Sequence, residues 1–224
     1  MPEATGLDAL QRYTIDRPLA FPTRAVALWR QLRAALIQAS NARKITTPPK
    51  VIEERVKLLR EPPAQVLGSL RALDLHMNAF CIVGGVKNQG RDRSLPHLER
   101  SDGAWFDFSI TVREQGSVLE LLAYDFEIRL LPGKGAPFLR FDLNLPDHRN
   151  EARELRCHLH PGADDLLVPA PLMSPGEVLA LFIDGVRPPV GRKLRTPTDF
   201  EVSWLKETLA KVAPAPAPAP APAV

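Results

Sequence analysis

The apolar positions change period part-way along the chain. Between residues 22 and 42, Ala25, Leu28, Trp29, Leu32, Ala35, Leu36 and Ala39 recur every three or four residues. That spacing lays them along one stripe of an α-helix, with Arg24, Arg30 and Arg33 off the stripe. A second helix is predicted from Pro49 to just before Pro62-Pro63, with Val51, Ile52, Val56 and Leu59 apolar. A third covers about residues 64–76, carried by Val66, Leu67, Leu70 and Leu73. The two prolines favour a sharp break between these helices, because a proline ring disfavours helical backbone in the residue before it. Residues 79–83, AFCIV, read as a buried strand that Gly84-Gly85 ends. Residues 86–103 are polar, basic and rich in turn formers, which predicts a surface loop.

Beyond that loop the period is two. Phe106, Phe108, Ile110 and Val112 alternate with Asp107, Ser109, Thr111 and Arg113. Residues 118–131 continue the pattern, with Asp125, Glu127 and Arg129 between apolar neighbours. A PGKG loop at 132–135 then leads to Leu139, Phe141, Leu143 and Leu145, alternating with Arg140, Asp142 and Asn144. Leu155, Cys157 and Leu159 alternate with Arg156, His158 and His160. Such alternation predicts antiparallel strands with one apolar and one polar face. Ser174-Pro175-Gly176-Glu177 has the form of a capping box with proline at the first helical position, and Thr198 to Glu201 repeats the box.

Helices before and after a run of strands indicate an α+β fold. The expected architecture is a helical N-terminal layer packed on an antiparallel β-meander, completed by two C-terminal helices. Residues 1–20 are an N-terminal extension and 21–212 a single domain. Within it 21–83 is mainly helical, 84–103 loop, 104–168 sheet and 174–212 helical. Residues 213–224 are a tail in which five prolines alternate with alanine. Proline at every second position removes the backbone donors of helix or sheet and favours an extended spacer.

Composition adjusts this picture only in places. Of 224 residues, 45% are hydrophobic and 25% charged, which excludes wholesale disorder. Two cysteines, Cys81 and Cys157, cannot build a disulfide framework and read as buried thiols. The start of the chain carries Glu3, Asp8 and Asp16 and no apolar run, and no stretch is long enough to span a membrane. The expected location is therefore the cytoplasm. The net charge of +3 hides an asymmetry: residues 1–100 hold 16 Lys/Arg against 9 Asp/Glu, and residues 101–224 hold 13 against 17. A basic first half can be a solvated surface compensated by the acidic second half; it can also contact RNA or DNA, through Arg24, Arg30, Arg33, Arg43 and Lys44, or a protein partner.

The densest chemistry lies in FLRFDLNLPDHRNEARELRCHLHP, residues 138–161. Paired as a hairpin, its strands put Arg140 opposite His160, Asp142 opposite His158 and Asn144 opposite Arg156. Three of the five histidines fall within 13 residues here. Three readings are open. The face can be a solvated surface of cross-strand charge pairs, each worth about 0.2–1 kcal/mol. It can perform metal-free acid/base chemistry, with His158 or His160 moving a proton, Asp142 orienting a histidine, and Arg140 and Arg156 clamping a phosphate. It can also hold a metal on His158 and His160, with Asp142 or Asp147 as third ligand. Phosphate-loop, dinucleotide, HExxH and CxxC motifs are missing.

Residues 117–183 resemble the toxin component of TumE-type bacterial toxin–antitoxin pairs. The shared elements are a meander ending in LRFDLNLPDH (139–148), a histidine-containing strand RCHLHPG (156–162), and a short capped helix MSPGEVLALFI (173–183). The resemblance implies a cytoplasmic bacterial protein that meets a partner encoded beside it. The chain departs from it by about 100 further N-terminal residues and by the Pro-Ala tail. The helical part is open to a partner-binding or self-neutralising role. The expected function is thus a toxin-like or defence-associated protein, a metal-independent ribonuclease that needs no cofactor. The alternatives are a non-catalytic subunit of a larger bacterial complex, or a nucleic-acid-binding module working through its basic helices.

Overall fold

The computed structural model describes residues 19, 22–87, 90–133, 135–148 and 155–186. Within them the chain forms α1 (Ala25–Asn41), α2 (Pro49–Arg55), β1 (Val56–Leu59), α3 (Ala64–Ala72), β2 (Ala79–Gly84), β3 (Leu98–Glu99) and β4 (Trp105–Gln115). There follow β5 (Val118–Arg129), β6 (Phe138–Leu143), β7 (Cys157–His160), β8 (Val168–Pro169) and α4 (Pro175–Ala180), which runs into a wider π-turn, Leu181–Gly185. The fold is α+β. One antiparallel sheet has the order β1-β2-β4-β5-β6-β7-β8, and β3 also pairs with β4. The second predicted C-terminal helix and the Pro-Ala tail lie outside the described residues, as does nearly all of the N-terminal extension.

The apolar face of the sheet meets the helices. Leu28, Leu32 and Leu36 of α1 are fully buried against Ile82, Phe106, Phe108, Ile110 and Phe126. Helix α1 has no side chain of its own capping its first turn. Glu114 of β4 supplies the acceptor, bonding the Ala25 amide at 2.9 Å and pairing with Arg24. A carboxylate at this end also suits the helix dipole. Trp29 donates its indole N–H to the Val56 carbonyl, which ties α1 to the edge strand β1. Helix α4 carries the predicted capping box in full, Ser174 and Glu177 each bonding the other's backbone amide.

Three expectations need correction. The second helix stops at Arg55, and Val56–Leu59 is a strand paired with β2. Val51, Ile52, Val56 and Leu59 fit a helical stripe, but a short run such as VKLL fits a strand equally well. The unpaired edge of β2 then decides. The third helix ends at Ala72, earlier than predicted. The sheet is also wider than residues 104–168, since β1 and β2 belong to it and the 84–103 segment contributes β3.

The second face of the sheet is covered as well. At one end α3 packs Leu70 on Ala79 and Leu122. Leu122 is the extra residue of a β-bulge, because the β4–β5 register shifts between Thr111 and Val112. At the other end the cover comes from residues 85–87 and 90–97. Gly85 allows its departure: its φ is +91°, and a side chain there would meet the Pro96 carbonyl oxygen. The Arg55 guanidinium bonds the His97 carbonyl and holds the return leg of this segment.

Candidate functional site

Strand pairing assembles the polar residues of this second face. Arg140 stands opposite His160, and Asp142 opposite His158. The Asn144 amide bonds the Arg156 carbonyl, which continues the register expected from the sequence. Strand β5 adds Asp125 opposite Asp142 and Glu127 opposite Arg140. What differs from expectation is the exposure. His158 is 2% exposed, His160 3%, Glu127 4%, Arg129 4% and Asp107 1%. A solvated sheet face of weak surface pairs does not describe these residues.

The burial is made tolerable by a shared network, since isolated buried charges are costly. Arg129 reaches Asp107 at 3.1 Å and Glu127 at 3.0 Å, and lies 4.3 Å over the Trp105 ring. Arg140 bonds Asp142 at 3.0 Å and Asp164 at 2.6 Å. Arg91 bonds Glu127 and Asp164 and stacks over Phe138. Lys87 bonds Asp125 at 2.8 Å. Lys87, Arg91 and Asp164 lie in loops, and the sequence reading did not place them here. A signal for them existed: the acidic positions of β4 and β5 outnumber their in-strand cations, and 87–93 is a nearby basic segment.

At the β7 end the geometry tightens. His158 Nε2 is 3.1 Å from His160 Nε2. Asp142 Oδ2 is 3.1 Å from His160 Nε2 and 3.5 Å from His158 Nε2. Among the described residues these three form a group whose donor atoms converge closely enough to share an ion. Asp147 is exposed and not part of it.

Beside this cluster the face opens. A cleft of about 330 Å³ is lined by Lys87, Ser109, Thr111, Asp125, Asp142, Asn144 and His148, with α3 along one side. A smaller hollow of about 160 Å³ continues it over Asp107, Glu127, Arg129 and Arg140. The exposed histidine of the cleft is therefore His148, while His158 and His160 stand behind Asp142. Burial pushes the Asp125 carboxyl up to about 6, helped by the neighbouring Asp142 and opposed by Lys87. Burial pushes Asp142 the same way, but His158, His160 and Arg140 outweigh it and hold the group well below the usual carboxylate range.

Burial also raises Asp107, to about 7, against the pull of Arg129. The folded protein thus keeps a proton that the unfolded chain, with an ordinary value of 3.8, has released. Stability from this group is complete below the unfolded value and is lost as pH rises through the folded one. Urea midpoints are expected to fall between about pH 5 and about pH 8, and Asp107→Asn is expected to flatten that slope. A slope unchanged in the variant would locate the dependence elsewhere.

The remaining predicted residues are placed as follows. Arg156 bonds the carbonyls of Asn144 and Leu122, both at 3.0 Å, so its donors brace the strand ends and do not face the cleft. Arg24 pairs with Glu114, Lys44 with Asp184, and Arg33 stacks 4.4 Å over Trp29. Arg30 and Arg43 are exposed. Arg24 and Arg43 flank the two ends of a 17-residue helix. Such a helix is about 25 Å long, and these cations are spread along it and just beyond its end. No described helix is long and apolar enough to cross a membrane. Comparison with protein-family models, with curated proteins and with solved structures found no match to this chain.

Proposed function

We propose that the chain is a toxin-like bacterial enzyme that cleaves RNA in the polar cleft, by acid/base chemistry centred on Asp125. One observation carries this reading. Two carboxyls, Asp125 and Asp142, stand directly opposite each other on β5 and β6 in the wall of one cleft; burial raises the proton affinity of the first, while His158, His160 and Arg140 lower that of the second. Environments that separate a pair in this way mark the acid/base member and the ionised member. A carboxyl with raised proton affinity suits the removal of a proton from an attacking ribose 2′-hydroxyl. Lys87 and His148 line the same cleft and supply cation and second proton carrier. The cytoplasmic location and a neutralising protein partner come from the resemblance of residues 117–183, and RNA as substrate comes from the proton-moving and phosphate-clamping groups of the polar face. The acid/base role passes from His158 and His160, which are buried, to groups that a substrate can touch.

Purified protein is expected to cut RNA oligonucleotides, and Asp125→Asn is expected to slow cutting by about 100-fold or more. Gel or mass-spectrometric analysis of a labelled oligonucleotide reads the rate. Intact RNA, or an equal rate in the folded variant, contradicts the proposal.

A further inference from the structure

We infer that Asp142, His158 and His160 bind one divalent transition-metal ion, with zinc as the best-fitting probe. The inference concerns the wall of the cleft described above, but it stands without the RNA reading because metal uptake needs no substrate.

The distances argue first. The three donor atoms are separated by 3.1, 3.1 and 3.5 Å. Ligand atoms about 2.0–2.1 Å from a tetrahedral ion stand about 3.3 Å apart. The spacing is that of one triangular face of such a shell. All three atoms come from two paired strands, so the backbone register holds them without help from a mobile loop.

The proton positions argue second. His158 Nδ1 lies 2.8 Å from the Leu155 carbonyl oxygen, so Nδ1 carries the hydrogen and donates it. In the neutral ring its Nε2 is then a bare lone pair. That is the outer-shell bond which orients metal-binding imidazoles. This lone pair is aimed at His160 Nε2 and lies near Asp142 Oδ2, so a proton on His160 Nε2 is shared among the three atoms. A cation in place of that shared proton makes three bonds to the same atoms. Asp142 Oδ1 is buried and has no hydrogen-bond partner among the described residues, so the carboxylate has a further lone pair to offer.

Ligand chemistry argues third. Two imidazoles and one carboxylate select zinc or ferrous iron over magnesium, which prefers oxygen ligands. Three protein ligands also leave a coordination position open, the mark of sites that act on a bound water or substrate.

The test uses the full chain, stripped with chelator and titrated with zinc chloride by calorimetry. One equivalent is expected to bind, and the same titration with magnesium chloride is expected to show no comparable uptake. His158→Ala and His160→Ala are each expected to weaken zinc by more than the roughly 10–100-fold that follows loss of an outer-shell partner. Asp142→Asn keeps the shape of the side chain and guards against variants that fail to fold. Cobalt substituted for zinc is expected to give the intense visible absorption of a four-coordinate ion. Failure of the wild-type chain to take up zinc, or unchanged uptake in folded Asp142→Asn and histidine variants, overturns the inference. Uptake of zinc by a protein that leaves RNA intact would uphold the metal site and remove only the substrate reading.

Discussion

Replacing Arg129 with methionine is expected to destabilise the fold by about 3–5 kcal/mol. The guanidinium is 4% exposed and is shared by Asp107 and Glu127 while its flat face rests on Trp105. Methionine fills much of the same space, so the loss isolates the charge from the packing. Glu127 retains Arg91 at 2.9 Å and Arg140 at 3.6 Å. Asp107 loses its ion pair with Arg129 and remains 1% exposed. A buried carboxylate in that position either unfolds the protein or takes up a proton. The double variant carrying Asp107→Asn as well is therefore expected to recover most of the loss. Urea unfolding of the four proteins in this cycle measures it. A single-variant loss under about 1 kcal/mol would mean that the network behaves as a solvated surface pair.

Removing the Phe182 ring by Phe182→Ala is expected to cost a similar amount, about 3–5 kcal/mol. The ring is fully buried and meets Phe106, Phe126 and Phe141 edge-on at 5.8–6.0 Å. Its position depends on the turn after α4. Arg100, itself buried, donates to the carbonyls of Phe182 and Val186 at 2.7 and 2.6 Å and so satisfies the end of that turn. The consequence reaches the site. Phe126 and Phe141 are the chain neighbours of Asp125 and Asp142, pointing to the opposite face of the same strands. Loosening the apolar side is expected to loosen the polar side with it. Thermal unfolding gives the first effect. A midpoint close to wild type would mean that the α4 turn is not part of the core.

Much of this was legible in the residues. The period of two located β4 to β7 and put Arg140, Asp142, His158 and His160 on one face; parity leaves the register open by two residues, and the structure selects the expected pairs, Asp142 with His158 and Arg140 with His160. Parity assigns a side chain to a face and says nothing about what covers that face. The cover consists of α3 with residues 85–87 and 90–97, and the polar, turn-rich composition of that stretch is also that of an exposed loop. Hence His158 and His160 read as surface acid/base groups, although their rings are buried behind Asp142. The strand at 56–59 was hidden for a related reason. Its four residues suit either structure, and only the unpaired edge of β2, a long-range partner, selects the strand. The metal-binding set was visible as an HxH pair with an aspartate across the hairpin. Its strength came from distances that no spacing in sequence reports.

The central claim is that the buried end of the polar face is organised around a cation. Anomalous scattering at the zinc edge, from crystals of the full chain grown with zinc chloride, tests it most directly. The account predicts a single strong peak within bonding distance, about 2.0–2.2 Å, of His158 Nε2, His160 Nε2 and an Asp142 carboxylate oxygen. Two imidazoles bonded to each other and to Asp142, with no anomalous peak between them, would contradict it.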